Sequence, residues 1–214
     1  MTISLEFLRL RLLEQCHKYG KHHLGSAFST LPILKEIFDE MKVSDKVVLS
    51  NGHAAAALYV TLEAFRGHDS SVMFETMGDH PKRNPNLNVD CSTGSLGMGI
   101  TVATGMALAS PKKTIYCVVS DGECAEGSVW EAIRFANWHG LSNLKVYFNI
   151  NNFIAYDEIN GERLSKELLA VYPAANIRFP TLFPFDEFSL KAHYMKMTDG
   201  QYETMRKKIC DSNS

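Results

Sequence analysis

Residues 118–153 read VVSDGECAEGSVWEAIRFANWHGLSNLKVYFNINNF, and this stretch decides the fold. Residues 114–119 (TIYCVV) are rich in β-formers, residues 128–139 carry apolar side chains near helical spacing, and residues 144–150 (LKVYFNI) are again strand-like. Strand, helix and strand in that order predict a βαβ unit, and so an α/β fold with a parallel sheet and helices on both faces. Parallel strands end on the same edge. Asp121 and Asn151 therefore face one another there, although about thirty residues separate them. A carboxylate, an amide oxygen and a nearby backbone carbonyl are hard oxygen donors, suited to Mg²⁺ (or Ca²⁺ or Mn²⁺ in its place) that also holds phosphate. The helix that follows Gly127 starts beside them and presents its positive end to an anion.

The chain has 214 residues, enough for one α/β domain, expected to occupy 1–214 with a shortened C-terminal part from about 158. Its 22 Lys and Arg against 24 Asp and Glu leave no basic footprint for nucleic acid. Five cysteines, with no CxxC pair among them, read as a reducing compartment. No apolar run is long enough to span a bilayer, and the opening MTISLEFLRLRLL has charges through its apolar residues. A cytoplasmic protein without a membrane partner is expected.

Around the central unit, Leu5, Leu8, Leu12 and Cys16 lie along one side of a first helix that Gly20 ends. Ser29 or Thr30 is expected to cap a second helix, with Pro32 in its first turn and Leu34, Phe38 and Met41 as its buried stripe. Residues 47–49 form a short strand, and Ser50-Asn51-Gly52-His53 turns it into an Ala-rich helix ending near Gly67. A short helical piece, VMFETM, precedes a polar loop over residues 78–91. In TGSLGMGITVATGMALAS, four glycines are too many for an isolated helix, since each costs about 1 kcal/mol against alanine. They serve close approach: Gly97, Gly99 and Gly105 press the helix on its neighbours, and residues 94–96 form the turn ahead of it. Residues 177–179 are a further candidate strand, and Thr198 or Asp199 caps a closing helix.

DG-x₃-EG, followed about thirty residues after the Asp by an Asn, resembles the thiamine-diphosphate motif, and the chain is similar to the N-terminal half of transketolases. HHLGSAFS (22–29), SNGHAAAALY (50–59), DHP (79–81), STGSLGMG (92–99), DGECAEGSVWEA and NINN carry the resemblance in family order. It implies a thiamine-diphosphate-binding fold, with Asp121, Asn151 and the carbonyl of Phe153 as metal ligands. It assigns His53, Gly94, Ser95, Leu96, Gly122 and Glu123 to the cofactor, alongside Asp121 and Asn151. His23, His80 and His193 match the family's substrate histidines, and Glu126 matches a glutamate at the subunit contact that helps link paired active sites. Two residues depart from the pattern: Ser120 stands for the first glycine of Gly-Asp-Gly, and Asn149 for the aspartate of Asp-x-Asn.

The family's pyrimidine-binding domain, which supplies the glutamate that activates the cofactor, is not in this sequence. The resemblance thus implies a diphosphate-binding subunit that works with a pyrimidine-binding partner, as a homodimer within an α₂β₂ assembly. Such a pair transfers a two-carbon ketol unit between sugar phosphates. Half of another thiamine enzyme (a 2-oxoacid dehydrogenase or decarboxylase, or a deoxyxylulose phosphate synthase relative) and a degenerate, non-catalytic binding subunit stay open as alternatives. The three histidines together favour transketolase.

Overall fold

Four short strands, β1 (Lys46–Leu49), β2 (Ile115–Ser120), β3 (Leu144–Asn149) and β4 (Asn176–Arg178), pair in parallel in the order β1-β2-β3-β4. The computed structural model describes residues 3–154 and 157–212. Val48, Cys117 and Val146 lie side by side in register across the first three strands. Because side chains alternate across a strand, the sheet divides its apolar residues between two cores. Val47, Leu49, Tyr116, Val118 and Tyr147 face helices α1 (Leu5–Lys18), α2 (Leu24–Glu40), α3 (Ala55–Arg66) and α8 (Asp199–Asp211). Val48, Ile115, Cys117, Val119, Val146 and Phe148 face α5 (Met98–Ala109), α6 (Gly127–Trp138) and α7 (Gly161–Val171). The chain is thus a parallel sheet covered by helices on both faces, and its central strands β2 and β3 read as near-continuous apolar runs for that reason. A short helix, α4 (Ser70–Met77), packs on α3, where Phe74 meets Tyr59 edge-on.

Three details differ from the sequence reading: the last strand is Asn176–Arg178 and not 177–179, Met41 lies half-buried just past the end of α2, and α2 starts earlier than expected. Ser29 and Thr30 do not cap α2; the helix begins at Leu24, and both lie buried within it. His23 sits just ahead in the left-handed region (φ 58°) and its carbonyl accepts the Ala27 N–H at 3.0 Å. Pro32 suggests a first turn because proline is favoured there, yet here it occupies the interior, at a cost of about 3 kcal/mol. Burial of residues 24–31 on every side offsets that cost. At the other end of the chain, Thr198 caps α8 with a reciprocal bond to Gln201, so the threonine rather than Asp199 is the cap.

The glycines of α5 divide. A Cβ on Gly99 would lie 2.5 Å from Ser50 Cα, and one on Gly97 2.3 Å from Ser128 Oγ, so both mark real close approach. Gly105 has open space around it and does not press on a neighbour. Gly99→Ala should therefore destabilise the chain by about 1–3 kcal/mol through overpacking against backbone, whereas Gly105→Ala should stabilise it by about 0.5–1 kcal/mol. Urea midpoints of the two variants check this, and equal shifts would refute the assignment of close contact.

Candidate cofactor site at the strand ends

The C-terminal ends of β1, β2 and β3 open onto a cleft of about 230 Å³. Its floor is Asp121. That side chain is buried, and its Oδ2 accepts the N–H groups of Asn151 (2.9 Å) and Asn152 (2.8 Å), while Oδ1 accepts that of Gly122 (3.0 Å). The loops after β2 and β3 are thereby tied through one carboxylate. Burial pushes Asp121 up to about 7, against the pull of those backbone N–H groups.

Three asparagines at the strand ends share a second support. Asn149 donates to Ser29 Oγ and Thr30 Oγ1, each at 3.0 Å; Asn51 donates to Thr30 Oγ1 at 3.0 Å, and Asn151 to Ser29 Oγ at 3.2 Å. The two hydroxyls that look like caps in the sequence are the buttress of the cleft. At Asn149 the amide supplies two donors to these hydroxyls, which the carboxylate of the family pattern could not do. Ser120 keeps its hydroxyl on the Glu123 N–H at 3.4 Å.

Four histidines line the same cleft: His23, His53, His80 and His193. His23 packs its ring 5.3 Å from His53, and its N–H donates to the His193 carbonyl at 3.0 Å. His193 ends a 3₁₀ segment, Asp186–His193. It is buried, shares a hydrogen bond with Ser26 Oγ through Nδ1 (2.8 Å), and leaves Nε2 buried without a protein partner. A Cβ on Gly25 would lie 3.0 Å from that ring, so glycine is what lets His193 reach the cleft. His80 lies against Gly94, where a Cβ would meet its ring at 3.2 Å. Burial, then the neighbouring His23, His193 and His80, push His53 down to about 3. Burial and His23 push His193 down to about 4, and burial and His80 lower His23 as well. These three rings are neutral at pH 7, each with one donor and one acceptor nitrogen.

Of the other residues singled out in the sequence, Leu96, Gly94, Gly122, Asn151 and Phe153 line the cleft. Ser95, Glu123 and Glu126 do not line it. Ser95 is exposed and its carbonyl accepts the Met98 N–H; Glu126 is exposed at the start of α6; Glu123 is fully buried behind the cleft. Ser26, Asn51, Ile154 and Tyr194 line it without having been singled out. Ser26 stands three residues after His23, a spacing that would have marked it had the helix start been placed at Leu24.

The donor set fits a hard cation. Asp121 and the Asn151 amide oxygen belong to the oxygen class that Mg²⁺ prefers, and a cation would offset the buried carboxylate. No group of three His, Cys, Asp or Glu side chains converges to hold a metal among the described residues, so amide and backbone oxygens would have to complete the set. The unpartnered His193 Nε2 and the open face at Gly122, where a Cβ would find nothing nearer than 3.8 Å, suit an anionic oxygen.

Residues 2–178 match the family described as the transketolase thiamine diphosphate binding domain. The chain belongs to that transketolase family. It is 33% identical over 165 residues to the 6-deoxy-6-sulfo-D-fructose transketolase subunit SqwG of Clostridium sp. (strain MSTE9), covering 67% of this chain and 60% of that one. It is 36% identical over 172 residues to an apulose-4-phosphate transketolase subunit of Phocaeicola vulgatus, covering 71% and 60%. The chain thus spans about 60% of the length of these transketolase relatives. In fold it superposes on the crystal structure of Campylobacter jejuni transketolase with a TM-score of 0.75 at 20% identity, over 96% of this chain and 41% of that one. The family places a thiamine-diphosphate-binding fold here, with the strand-end cleft where such α/β sheets take their ligands.

The depressed histidines give the site a pH signature. Because His53 falls from 6.5 to about 3 on folding, the unfolded chain gains a proton below pH 6.5 that the folded chain refuses. The stability that depends on the neutral ring is fully present above pH 6.5 and is lost as pH falls toward 3, on the order of 2 kcal/mol by pH 5. His53→Asn should flatten this part of the profile in urea titrations at pH 7.5, 6 and 5. An unchanged slope would show that His53 is hydrated and not held neutral by the fold.

Proposed function

We propose that the chain is the diphosphate- and metal-binding part of a transketolase that moves a two-carbon ketol unit from a ketose to an aldose, and that a pyrimidine-binding partner subunit completes its active site. The observation that carries this reading is the convergence, in one cleft, of Asp121 and Asn151 with four histidines from residues 23–193. A metal-diphosphate site alone would fit many thiamine enzymes; the neutral imidazoles beside it fit a polyhydroxylated sugar. Both relatives are named as transketolase subunits, which favours a divided enzyme.

In this reading Asp121, the Asn151 amide oxygen and the Phe153 carbonyl hold Mg²⁺, and Gly122 lets backbone approach the diphosphate. His53 offers an N–H donor to it, and His193 joins the histidines that face the sugar. Thiamine diphosphate, when bound, supplies the carbanion chemistry of ketol transfer. The chain's own part in turnover is to orient and to move protons. His23 and His80, on neighbouring loops joined by the Lys21–Asp79 ion pair at 2.9 Å, hydrogen-bond the donor sugar's carbonyl and hydroxyls, and the neutral His23 ring takes or returns the proton of a hydroxyl as the ketol unit is cut and rejoined. Tyr194, edge-on to His23 at 6.3 Å, narrows the mouth.

The surface of α5 supports the partner. Met98, Val102 and Leu108 are exposed along it, Gly105 lies open beside them, and the helix carries no charged residue. An uncharged, apolar exposed face next to the glycine turn at residues 94–97 suits a permanent interface. The relatives' names point to sugars with an anionic end group, sulfo or phosphate, as the class of substrate for the assembled enzyme.

Two measurements test the proposal. In the complex with the partner, Asp121→Ala should abolish Mg²⁺-dependent thiamine diphosphate binding with the fold intact, while His23→Ala and His80→Ala should each lower kcat by about 10²-fold with little change in cofactor affinity. His53→Ala should weaken cofactor binding. A coupled assay of ketol transfer on this chain, on the partner and on their mixture should find activity only in the mixture, at stoichiometric ratio. Full activity from this chain alone, or equal effects of all three histidine variants on turnover and binding, would overturn it.

A further inference from the structure

Glu123 is a buried carboxylate that the proposed chemistry does not use. It is 0% exposed and lies behind the cleft. Oε1 accepts the Ser50 hydroxyl at 2.6 Å and the Gly97 N–H at 2.9 Å; Oε2 accepts the Ser120 N–H at 3.0 Å. Its three partners belong to three different loops. Ser50 follows β1 and leads to His53, Gly97 closes the glycine turn ahead of α5, and Ser120 ends β2 one residue before Asp121. Ser50 relays the connection, since its hydroxyl also accepts the Ile100 N–H at 3.1 Å and its own N–H donates to the Val118 carbonyl at 2.9 Å.

We propose that Glu123 is a positioning residue: by accepting one donor from each of these loops it holds the metal loop, the glycine turn and the His53 loop in register, and it touches neither metal nor cofactor. The inference rests on reading the cleft as the thiamine diphosphate site. Charge-assisted bonds of this kind are about twice as strong as neutral ones, and an acceptor-only group can serve three donors at once. Glutamine keeps the shape but turns an NH₂ toward a backbone N–H, leaving donors unpaired on at least one loop. The effect must then pass to Asp121, and from its Oδ2 to the amides of Asn151 and Asn152, which Glu123 does not contact. Packing leaves little slack to absorb the shift, because not even a Cβ would fit at Gly97 beside Ser128 or at Gly99 beside Ser50.

The structure includes a reporter for the test. Trp130 Nε1 donates to the Cys124 carbonyl at 2.8 Å, next to Glu123, and the only other tryptophan, Trp138, is 90% exposed. In the full chain carrying Trp138→Phe, Trp130 emission reads the metal loop, and amide hydrogen exchange reads Asn151 and Asn152. Glu123→Gln should keep the far-UV spectrum, shift Trp130 emission, and speed exchange at those two amides by about tenfold with α8 unchanged. In titrations with Mg²⁺ and thiamine diphosphate it should bind about tenfold more weakly, as loss of a supporting residue does at metal sites. Parent exchange rates at Asn151 and Asn152 in folded Glu123→Gln would overturn the proposal. If that variant does not fold, Ser50→Ala keeps the carboxylate, and about threefold faster exchange at the same amides is expected; parent rates there would overturn it equally. Should the parent bind no cofactor, the reading of the cleft fails, and the exchange rates still decide the role of Glu123.

Discussion

Everything at the cleft edge of the sheet depends on how the buried carboxylate of Asp121 is satisfied. A carboxylate removed from water needs several donors, and the fold supplies them from backbone: Gly122 on its own loop, Asn151 and Asn152 on the loop after the next strand. Those bonds require β2 and β3 to end level, which their register from Ile115↔Leu144 to Ser120↔Asn149 ensures. The parallel pairing therefore does more than bury the sheet. It brings two loops separated by a helix to within one side chain of each other, where burial raises the carboxyl above its ordinary range against the pull of those N–H groups.

The remaining walls are placed by buried polar contacts rather than by apolar packing alone. Helix α2 threads beneath the strand ends, and Ser29 and Thr30 on it receive the amides of all three asparagines. The same helix, through Ser26 and the absence of a side chain at Gly25, receives His193 from the far end of the chain. One element thus locates residues whose sequence positions differ by more than 140, as Asn51 and His193 do. Buried networks of this kind are costly when half made, which makes the arrangement specific.

The sequence discloses this architecture unevenly, for physical reasons. Strand and helix periods are local, so the βαβ unit around residues 114–150, the Ala-rich helix and the Thr198 cap were legible. The start of α2 was not, because Pro32 and Ser29-Thr30 imitate a helix opening and the left-handed His23 leaves no mark in composition. Spacing places Glu123 in the acidic loop beside Asp121, but the direction of its side chain depends on Ser50 and Gly97, which belong to other loops. Likewise nothing local to residue 193 tells of its burial, since the glycine that admits it is at position 25. Gly105 looked like its neighbours, and only the packing shows it facing open space.

Charge explains why the proposed role calls for a divalent cation. Among the described residues that line the cleft, Asp121 is the one carboxylate and no lysine or arginine is present, while burial keeps His23, His53 and His193 neutral at pH 7. A diphosphate brought to such a surface would meet neutral walls and a floor whose carboxyl, held up to about 7 by burial, is charged in part at neutral pH. Backbone dipoles and imidazole N–H groups orient an anion, yet they cannot cancel its repulsion from a carboxylate a few ångströms away. A divalent cation such as Mg²⁺ would offset that repulsion, and the hard oxygens of Asp121 and Asn151 are of the kind that would hold it. On this argument a metal would be the means by which an acidic floor binds an acidic cofactor, and the proposed partner would approach from the side of the glycine turn, where the uncharged face of α5 lies open.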